Sequence, residues 1–454
     1  MTFTKILSVC ALALITSPMV TVAAEGMAVK DIEKYEVEMD PSLYVKYEGD
    51  NEQFKDGFVT GFGSAVTFKG MDEEGNPQFW GLTDRGPNGD APEIKLADGN
   101  LTSKIFPSPA FVPSIGLITV KDGKATVTET ITLKDKDGKE ISGLPVKPDQ
   151  VGFSGEMALS ESFEDLGNDE NGKDTEGIAV DKDGNFWISD EYGPFITQFD
   201  KDGKELLRLA PGEGLPEIIA DRIPNRGFEG LTITPSGNVV ATVQSVLDVD
   251  GETAKTAQFT RVVEYNPETK ETRMYAYPIL KDDYKKVKDA KIGDIYAISD
   301  TRFLVIEQGK DAAGEMKNNI YIFDITDATD LTDKTFGDKA LEFAKTPEDI
   351  QDIKFGTKEL LIDLRAEGWD VEKAEGLVLF NDNKSLAVIN DNDFGIKTVT
   401  KDEANADSDI TDYVYDPESK TYTYEDKEAT PEVTIEPNEE TSLLWMINFE
   451  EAVK

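Results

Sequence analysis

The chain contains no histidine, and its single cysteine, Cys10, lies near the N-terminus. Without histidine, a Ser-His-Asp triad, a histidine base and every zinc or iron site with histidine ligands are excluded. Loss of Cys10 with a signal peptide, predicted below, would also exclude disulfides and thiolate chemistry. Any chemistry must then rest on oxygen ligands, lysine, arginine, tyrosine and hydroxyl groups. Any bound metal should be a hard cation such as calcium or magnesium.

Long hydrophobic runs are also scarce. One run, residues 6–20, follows Lys5 and precedes the small residues Val22-Ala23-Ala24. This order is typical of a secretory signal peptide, and the run is too short for a membrane span. We therefore predict a signal peptide over 1–24, a mature chain over 25–454, and a secreted or periplasmic location. No later segment is apolar enough to cross a bilayer, so we predict no membrane span.

Positive charge is in short supply. The chain has 90 acidic and 47 basic residues, a net charge of −43. So acidic a protein repels nucleic acid and anionic membranes, and we predict neither as a partner. Its partners should be cations, or anions that bind through cations. Solubility in salty surroundings would explain the same charge.

What the sequence does have is a repeated pattern of short strands. Residues 175–190, 228–244 and 374–390 each begin near a Glu-Gly pair, followed by an apolar strand, a turn and a second strand. Residues 63–84 and 293–307 fit the same frame more loosely. Two further alternating strands follow most units, as at 116–133 and 195–209. Four strands in a unit of this length are typical of a β-propeller blade.

We therefore predict an all-β fold: one domain over 25–454, a β-propeller with six blades of four antiparallel strands. Five units are clear in the sequence. The sixth should come from the chain termini or from the stretches around 140–170 or 331–372. Ring closure predicts that residues 446–449 add a strand to a blade near the N-terminus, and we expect a monomer. Two β-sandwich domains are the alternative fold.

Acidic and amide residues recur at the strand ends that a propeller gathers around its axis. Such a ring of carboxylates would repel itself unless cations neutralise it, and calcium, which takes six to eight oxygen ligands, suits it. Alternatively, each Glu-Gly pair starts a blade, with the carboxylate capping backbone amides. The residues at these positions are Asp84, Asp174, Glu176, Asp190, Glu191, Glu229, Gln244, Glu307, Glu375, Asn390 and Asp391.

Seven motifs in this order resemble the phytase-like family, described by the esterase-like activity of phytase. The resemblance runs from about Phe58 to Phe394, and it implies an exported, calcium-dependent propeller that acts on phosphate esters. One departure is Gln308, where we would expect arginine. The motifs are Thr83-Asp-Arg-Gly-Pro-Asn88, Asp174-Thr-Glu-Gly177, Ile188-Ser-Asp-Glu-Tyr-Gly-Pro194, Asn225-Arg-Gly-Phe-Glu-Gly230, Ile306-Glu-Gln308, Ala374-Glu-Gly376 and Asn390-Asp-Asn-Asp-Phe394.

The leading hypothesis is calcium-assisted hydrolysis of a small phosphate ester, in which a metal-activated water attacks phosphorus. Bidentate hydrogen bonds from arginine would hold the phosphate oxygens. We assign catalysis to Glu176, Asp190 and Glu229. We assign substrate binding to Arg85, Arg226, Asn88 and Tyr192. The predicted metal ligands are Asp84, Asp174, Glu191, Glu307, Glu375 and Asp391.

Two other functions remain open from the sequence. One is calcium-dependent hydrolysis of a lactone or carboxylic ester, which needs fewer cations beside the metal. The other is a binding module without catalysis, in which calcium only stabilises the fold, since propellers serve many functions.

Overall fold

The computed structural model describes residues 26–97 and 99–454, so Cys10 and the predicted signal peptide lie outside the described residues. The protein is all-β, with 44% of residues in strands and 8% in helices. None of the helices in these ranges is long and apolar enough to span a membrane. The helical residues lie in short 3₁₀ segments at Pro41–Leu43, Glu52–Phe54, Glu217–Asp221, Val249–Gly251, Lys281–Asp283, Val287–Asp289, Leu341–Phe343, Pro347–Ile350, Asp393–Gly395 and Ile410–Asp412.

The strands are numbered here in chain order. Those of the first part are β1 Val29–Met39, β2 Ala65–Met71, β3 Pro77–Leu82, β4 Gly89–Asp90, β5 Glu93–Leu96, β6 Gly99–Ile105, β7 Ser114–Lys121, β8 Lys124–Thr132 and β9 Glu156–Leu159. The central strands are β10 Thr175–Val180, β11 Phe186–Asp190, β12 Phe195–Phe199, β13 Glu205–Pro211, β14 Gly214–Leu215, β15 Phe228–Ile233, β16 Val239–Val243, β17 Phe259–Tyr265, β18 Thr272–Pro278, β19 Lys291–Ala297, β20 Arg302–Lys310, β21 Met316–Asp324 and β22 Thr357–Asp363. The last strands are β23 Gly376–Phe380, β24 Ser385–Ile389, β25 Ile396–Lys401, β26 Tyr413–Asp416, β27 Thr421–Tyr424, β28 Lys427–Ala429, β29 Glu432–Pro437 and β30 Leu443–Phe449.

Five units of four consecutively paired strands can be followed through the described part of the chain. They are β2-β3-β7-β8, β10-β11-β12-β13, β15-β16-β17-β18, β19-β20-β21-β22 and β23-β24-β30-β1. The first strand of each unit contacts the first strand of the next, and the fifth returns to contact the first. The arrangement is therefore propeller-like, with the first strands around a common axis.

The termini close this ring. The C-terminal strand β30 pairs with β24 on one side and with β1 on the other. Residues 446–449 thus pair with the N-terminal strand β1, as expected, but the unit they join is the fifth, built on β23 and β24, and not a blade near the N-terminus. Strand β1 in turn pairs in parallel with β8, which joins the fifth unit to the first as one eight-stranded sheet.

The predicted count of six blades is not confirmed. The contacts between first strands join five units within the described ranges. The stretch after β21 instead packs Leu331, Leu341 and Ile350 onto the core shared by the second and third units. In the acidic stretch around 402–434, strands β26, β27 and β28 join a separate sheet in the order β28-β27-β26-β5-β6-β4, with β9 beside β6, and β29 pairs with β25.

Alternating side chains build a hydrophobic layer between each pair of neighbouring units. In β16, Val239 and Ala241 face the second unit, whereas Val240 faces the fourth. In β24, Leu386 faces the fourth unit and Ala387 faces the first. Because successive residues of a strand point to opposite faces, a strand between two sheets must be apolar on both. This explains the continuous apolar runs in the repeated frame.

The glycine of the repeated Glu-Gly pair has a packing role. A Cβ on Gly230 would lie 2.4 Å from the backbone nitrogen of Ile295 in the next unit, and one on Gly177 would lie 2.6 Å from the carbonyl oxygen of Glu229. These distances are too short for any side chain. The first strands therefore meet backbone to backbone, and only glycine permits that approach.

One fully buried ion pair fixes the long segment between β21 and β22. Arg261 of β17 donates from Nε to Glu342 Oε1 at 2.7 Å and from Nη2 to Glu342 Oε2 at 2.9 Å. Both side chains are at most 1% exposed. A bidentate pair of this kind joins a segment of the fourth unit to the third.

We expect Gly230→Ala to destabilise the protein far more than Gly237→Ala. The first change places a Cβ against backbone atoms of the neighbouring unit, which side-chain motion cannot relieve. Gly237 has φ +92 and no atom within 4 Å of its Cβ position, so alanine there costs only about 1–2 kcal/mol of backbone strain. Chemical denaturation of both variants provides the measurement. Equal losses of stability would contradict the role given to backbone contact.

We expect Arg261→Met to lower the unfolding free energy by about 3–5 kcal/mol, because it leaves the Glu342 carboxylate buried without a partner. The double variant Arg261→Met/Glu342→Met should recover most of that loss. Arg302→Met is the matched control, since the Arg302–Asp324 pair is about one-third exposed and should be worth at most about 1 kcal/mol. A double variant no better than Arg261→Met would refute the account.

Candidate functional site

Seven carboxylates from four of the units converge on the axis. All seven side chains are buried. Each one either raises the pKa of another member by charge repulsion or has its own pKa raised by another member. This set is called the acid ring below. Its members are Asp84, Asp174, Glu176, Glu191, Glu229, Glu375 and Asp391.

Irregular pairing at the start of the first strands aims two of these side chains. The register between β10 and β11 shifts between Thr175 and Gly177, and that between β15 and β16 shifts between Phe228 and Leu231. Glu176 and Glu229 lie within these shifts. A bulge reorients the side chain that it contains, which here accompanies the turn of both glutamates toward the axis.

The closest group within the acid ring is Asp174, Glu176 and Glu191. One oxygen from each carboxylate lies within 4.8 Å of one oxygen from each of the other two. Glu176 accepts a hydrogen bond from the Ser64 hydroxyl, and Asp174 Oδ1 accepts one from the backbone N–H of Arg85 at 3.1 Å. The three carboxylates are therefore held in place by groups outside the group itself.

Burial and mutual repulsion disfavour the charged forms of these acids. Burial, then repulsion by Asp174, raises the pKa of Glu191 to about 8. Burial raises the pKa of Glu375 to about 7, although Lys373 opposes the shift. The pKa values of Glu176 and Glu229 are also well above the usual range, for the same two reasons. Repulsion within the ring therefore exceeds what its neighbouring cations offset at these glutamates, which favours protonation or a bound cation.

Gln244, at the end of β16, bridges two of the acids. Its Nε2 donates to Glu191 Oε1 at 2.7 Å and to Glu229 Oε2 at 2.9 Å. Its Oε1 is buried, and within the described residues it has no hydrogen-bond partner. A buried amide oxygen without a donor is costly, so its presence beside the acids points to a ligand for that atom.

Arg85, predicted to bind substrate, is committed to the protein instead. Its Nη1 lies 2.9 Å from Glu156 Oε2 and 3.4 Å from Asn225 Oδ1, and its Nε lies 3.5 Å from Asp174 Oδ2. The guanidinium also stands over the ring of Tyr192, 5.5 Å from its centroid. This geometry orients Asp174, and substrate binding by Arg85 stays a prediction.

The other three predicted substrate contacts are also engaged. Arg226 is half-buried, and its Nη1 donates to the carbonyl of Lys288 and, at 3.5 Å, to Ser245 Oγ. Tyr192 is buried and donates to the carbonyl of Gly143 at 2.7 Å. Asn88 donates to the carbonyl of Gly86 at 3.0 Å. Their binding roles stay predictions.

Of two further predicted residues, Glu307 makes its contacts apart from the acid ring and Asp190 lies next to it. Glu307 accepts hydrogen bonds from Tyr284 Oη at 2.8 Å and Lys358 Nζ at 2.5 Å. It shares the face of β20 that Phe303 and Val305 turn to the third unit, because alternate residues share a face. Asp190 Oδ2 lies 3.4 Å from Lys173 Nζ.

Asp190 also organises the loop beneath the ring. Its Oδ1 accepts the backbone N–H groups of Asp174 at 3.3 Å and of Tyr192 at 3.1 Å. Burial raises its pKa to about 6 despite the neighbouring Lys173. These contacts suit a residue that positions Asp174, and the assigned catalytic role stays a prediction.

Several residues of the site could not be predicted from the sequence repeats. Lys373 lies beside Asp391 and Glu375, and Lys291 is near enough to lower the pKa values of Glu191 and Glu229. Glu156 reaches Arg85 from the separate sheet. None occupies a position that recurs in the other units. Lys373, two residues before Glu375, carries a weak signal as a charge adjoining a repeated motif.

The donor atoms around the axis fit a hard cation. They are carboxylate oxygens and one amide oxygen, with no softer ligand among them. Calcium–oxygen distances are about 2.4 Å, so oxygens about 4.8 Å apart can lie on opposite sides of one ion. The group of Asp174, Glu176 and Glu191 therefore has the chemistry and the spacing of a calcium site.

The family model described as "Phytase-like: Esterase-like activity of phytase" matches residues 59–394. A curated relative, an uncharacterized secreted protein of Arthroderma benhamiae, is 26% identical over 344 residues. That match covers 62% of this chain and 66% of the relative, so the chain spans just under two thirds of the relative's length.

Two solved structures show weaker likeness. Virginiamycin B lyase from Staphylococcus aureus is 9% identical, with a TM-score of 0.29 over 92% of this chain and 99% of its own. An alpha-L-arabinofuranosidase from Podospora anserina, in complex with cellotriose, is 9% identical, with a TM-score of 0.36 over 93% and 98%. Both TM-scores are below 0.5, and neither likeness bears on function.

In a chelator, we expect the melting temperature to fall as the pH rises from about 4.5 to about 8. The pKa of Glu191 rises from 4.5 to about 8 in the folded protein, and that of Glu375 to about 7. The stability linked to these groups is complete below the unfolded pKa and is lost as the pH passes the folded pKa.

Thermal melts across this range provide the measurement. Glu191→Gln should flatten the slope, whereas Asp183→Asn, an exposed turn residue, should leave it unchanged. If both variants keep the slope, general surface repulsion causes it and the acid ring does not.

Proposed function

The chain belongs to the phytase-like family, and from that premise and the acid ring we propose that it is an exported, calcium-dependent hydrolase of phosphate monoesters. Export is supported by the predicted signal peptide over 1–24 and by a relative described as secreted. The observation that carries the proposal is the buried group of Asp174, Glu176 and Glu191, whose oxygens lie within 4.8 Å of one another.

Calcium would be held by Asp174, Glu176 and Glu191, with Gln244 Oε1 as a neutral ligand. When bound there, the ion would supply a Lewis acid for a phosphate oxygen and would lower the pKa of a bound water. Arg85, through its contacts with Asp174 and Glu156, would keep the first of these ligands in place.

Glu229 is the residue best suited to move a proton. Gln244 Nε2 orients its Oε2, and burial with repulsion by Glu191 and Glu375 raises its pKa. A carboxyl group with a raised pKa keeps its proton to higher pH than an ordinary glutamate and can deliver it to a leaving oxygen. Glu229 thus takes the acid–base role, while Glu176 serves the ion.

Lys291 is the cation best placed for the substrate phosphate. It lies near Glu191, Glu229 and Glu375 and lowers the pKa of each. Within the described residues it makes none of the carboxylate contacts within 4.0 Å that occupy Arg85 and Lys373. It can therefore offer its ammonium group to a phosphate oxygen.

We propose that the five units are the blades of a five-bladed propeller. This architecture would give the site a defined entrance. The first strands would then surround one shallow axial opening, and the acid ring would stand at the strand ends that border it. Propellers commonly bind ligands at such an opening.

A second candidate is calcium-dependent hydrolysis of a lactone or carboxylic ester. It is favoured by one observation: Arg85 and Arg226 are both bound to protein acceptors rather than presented to a dianion. Such a reaction needs the ion and Glu229 but not a second cation. A calcium-stabilised binding module is what remains if neither ester is cleaved.

We expect the purified mature protein to release phosphate from p-nitrophenyl phosphate in calcium and to stop in chelator. Glu229→Gln should lower the calcium-dependent rate by about a hundredfold or more, because it removes the group that carries the proton. Asp183→Asn is the matched control and should leave the rate unchanged. Product is measured by absorbance, with p-nitrophenyl acetate in parallel.

The parallel assay separates the candidates. Lys291→Met should weaken turnover of the phosphate but spare the acetate. Calcium-dependent cleavage of the acetate alone would overturn the phosphatase proposal in favour of the ester hydrolase. Absence of turnover on either substrate would leave a binding module.

A further inference from the structure

Lys373 lies at the centre of one half of the acid ring. Its Nζ is 2.7 Å from Asp391 Oδ2, 2.8 Å from Asp393 Oδ1 and 3.8 Å from Glu375 Oε2. Asp391 and Glu375 belong to the ring, and Asp393 adjoins it. Lys373 therefore donates hydrogen bonds to Asp391 and Asp393 and lies within ion-pair distance of Glu375.

Among the described residues, the opposite half has no lysine in comparably close contact with its carboxylates. Glu176 and Glu191 accept hydrogen bonds only from neutral groups, the Ser64 hydroxyl and Gln244 Nε2, among those found in the described residues. Arg85 pairs with Asp174 alone of the close group. The described residues contain no ion pair within 4.0 Å at Glu176, Glu191 or Glu229. These four carboxylates, counting Asp174, therefore have one arginine in close contact, and Lys291 acts on Glu191 and Glu229 only from beyond 4.0 Å.

A second and independent observation marks this half as a ligand site. Gln244 is 3% exposed, and its amide lies against Glu191 and Glu229. Its Oε1 is buried without a hydrogen-bond partner among the described residues. A buried oxygen without a donor is costly, and a cation bound next to Gln244 would remove that cost.

We propose that the acid ring binds one divalent cation, at Asp174, Glu176 and Glu191, and that Lys373 replaces a second. The ammonium of Lys373 lies where a cation bound by Glu375, Asp391 and Asp393 would have to lie. One half of the ring is thus neutralised by a tethered charge and the other by a diffusible ion. This inference rests on the proposed calcium dependence and adds the number and position of the ions.

The arrangement has a consequence for the substrate. A tethered ammonium does not leave with the product, and it keeps its charge at low calcium. One phosphate oxygen could then approach the ion and another Lys373, with Lys291 near acids of both halves. The site would bind a phosphate monoester with a single metal ion and two lysines.

The test is the calcium stoichiometry of the full mature protein, measured by isothermal titration after chelator treatment and checked by elemental analysis after gel filtration. Wild type should bind one ion at the ring. Glu176→Gln should bind none there and should lose the calcium-dependent rise in melting temperature. Asp391→Asn should still bind one, because it changes only the half held by Lys373.

Removal of the Lys373 ammonium group is the more decisive part of the experiment. Lys373→Met should bind two ions, and Lys373→Met/Asp391→Asn should return to one. Lys182→Met, an exposed turn lysine, should stay at one. Two ions or none in wild type, loss of the ion in Asp391→Asn, or a single ion in folded Lys373→Met would overturn the inference. If Lys373→Met does not fold, the comparison of Glu176→Gln with Asp391→Asn still decides whether the single ion lies in the half that lacks Lys373.

The calcium stoichiometry and the phosphatase assay test the two proposals independently. One ion without phosphate release would overturn the proposed hydrolase and leave the single site intact. Phosphate release with two ions in wild type would leave the hydrolase intact and overturn the role of Lys373.

Discussion

Backbone contact between the first strands of neighbouring units is the constraint on which the rest of the structure depends. Gly177 and Gly230 admit that contact, and the strands then converge around a single axis. The residue before each glycine is carried to the same place. Convergence therefore gathers the glutamates although their carboxylates repel one another. Other groups must neutralise that negative charge.

Some of the carboxylates are paired with cations and others are not, and this difference defines the site. A buried charge left without a partner costs several kcal/mol, so each carboxylate needs a cation, a proton or strong hydrogen bonds. Lys373 serves Asp391, and Arg85 serves Asp174. Within the described part of the chain, Glu176 and Glu191 receive hydrogen bonds only from neutral donors. Stability gained from the five hydrophobic layers between units holds this unfavourable cluster together.

Sequence periodicity predicted the parts of the structure that recur. The Glu-Gly frame located Glu176, Glu229 and Glu375, because a repeated motif occupies equivalent positions in equivalent units. The same reasoning placed Glu307 at the axis, whereas the two-residue period of β20 turns it toward Tyr284 and Lys358. Lys291, Lys373 and Glu156 occur once each, and their approach depends on three-dimensional packing that periodicity does not encode.

The pairing of β1 with β30 sets an order on folding. Val29 lies opposite Phe449, so this contact spans nearly the whole described sequence and closes a very long loop. Central units can form from neighbouring hairpins, but the fifth waits for the last strand to be made, and until then β8 and β24 keep open edges. High contact order slows such a step, and open strand edges invite association with other chains. Ring closure is thus the final step of assembly, and it brings Glu375 and Asp391 of the fifth unit to the acids already gathered by the earlier units.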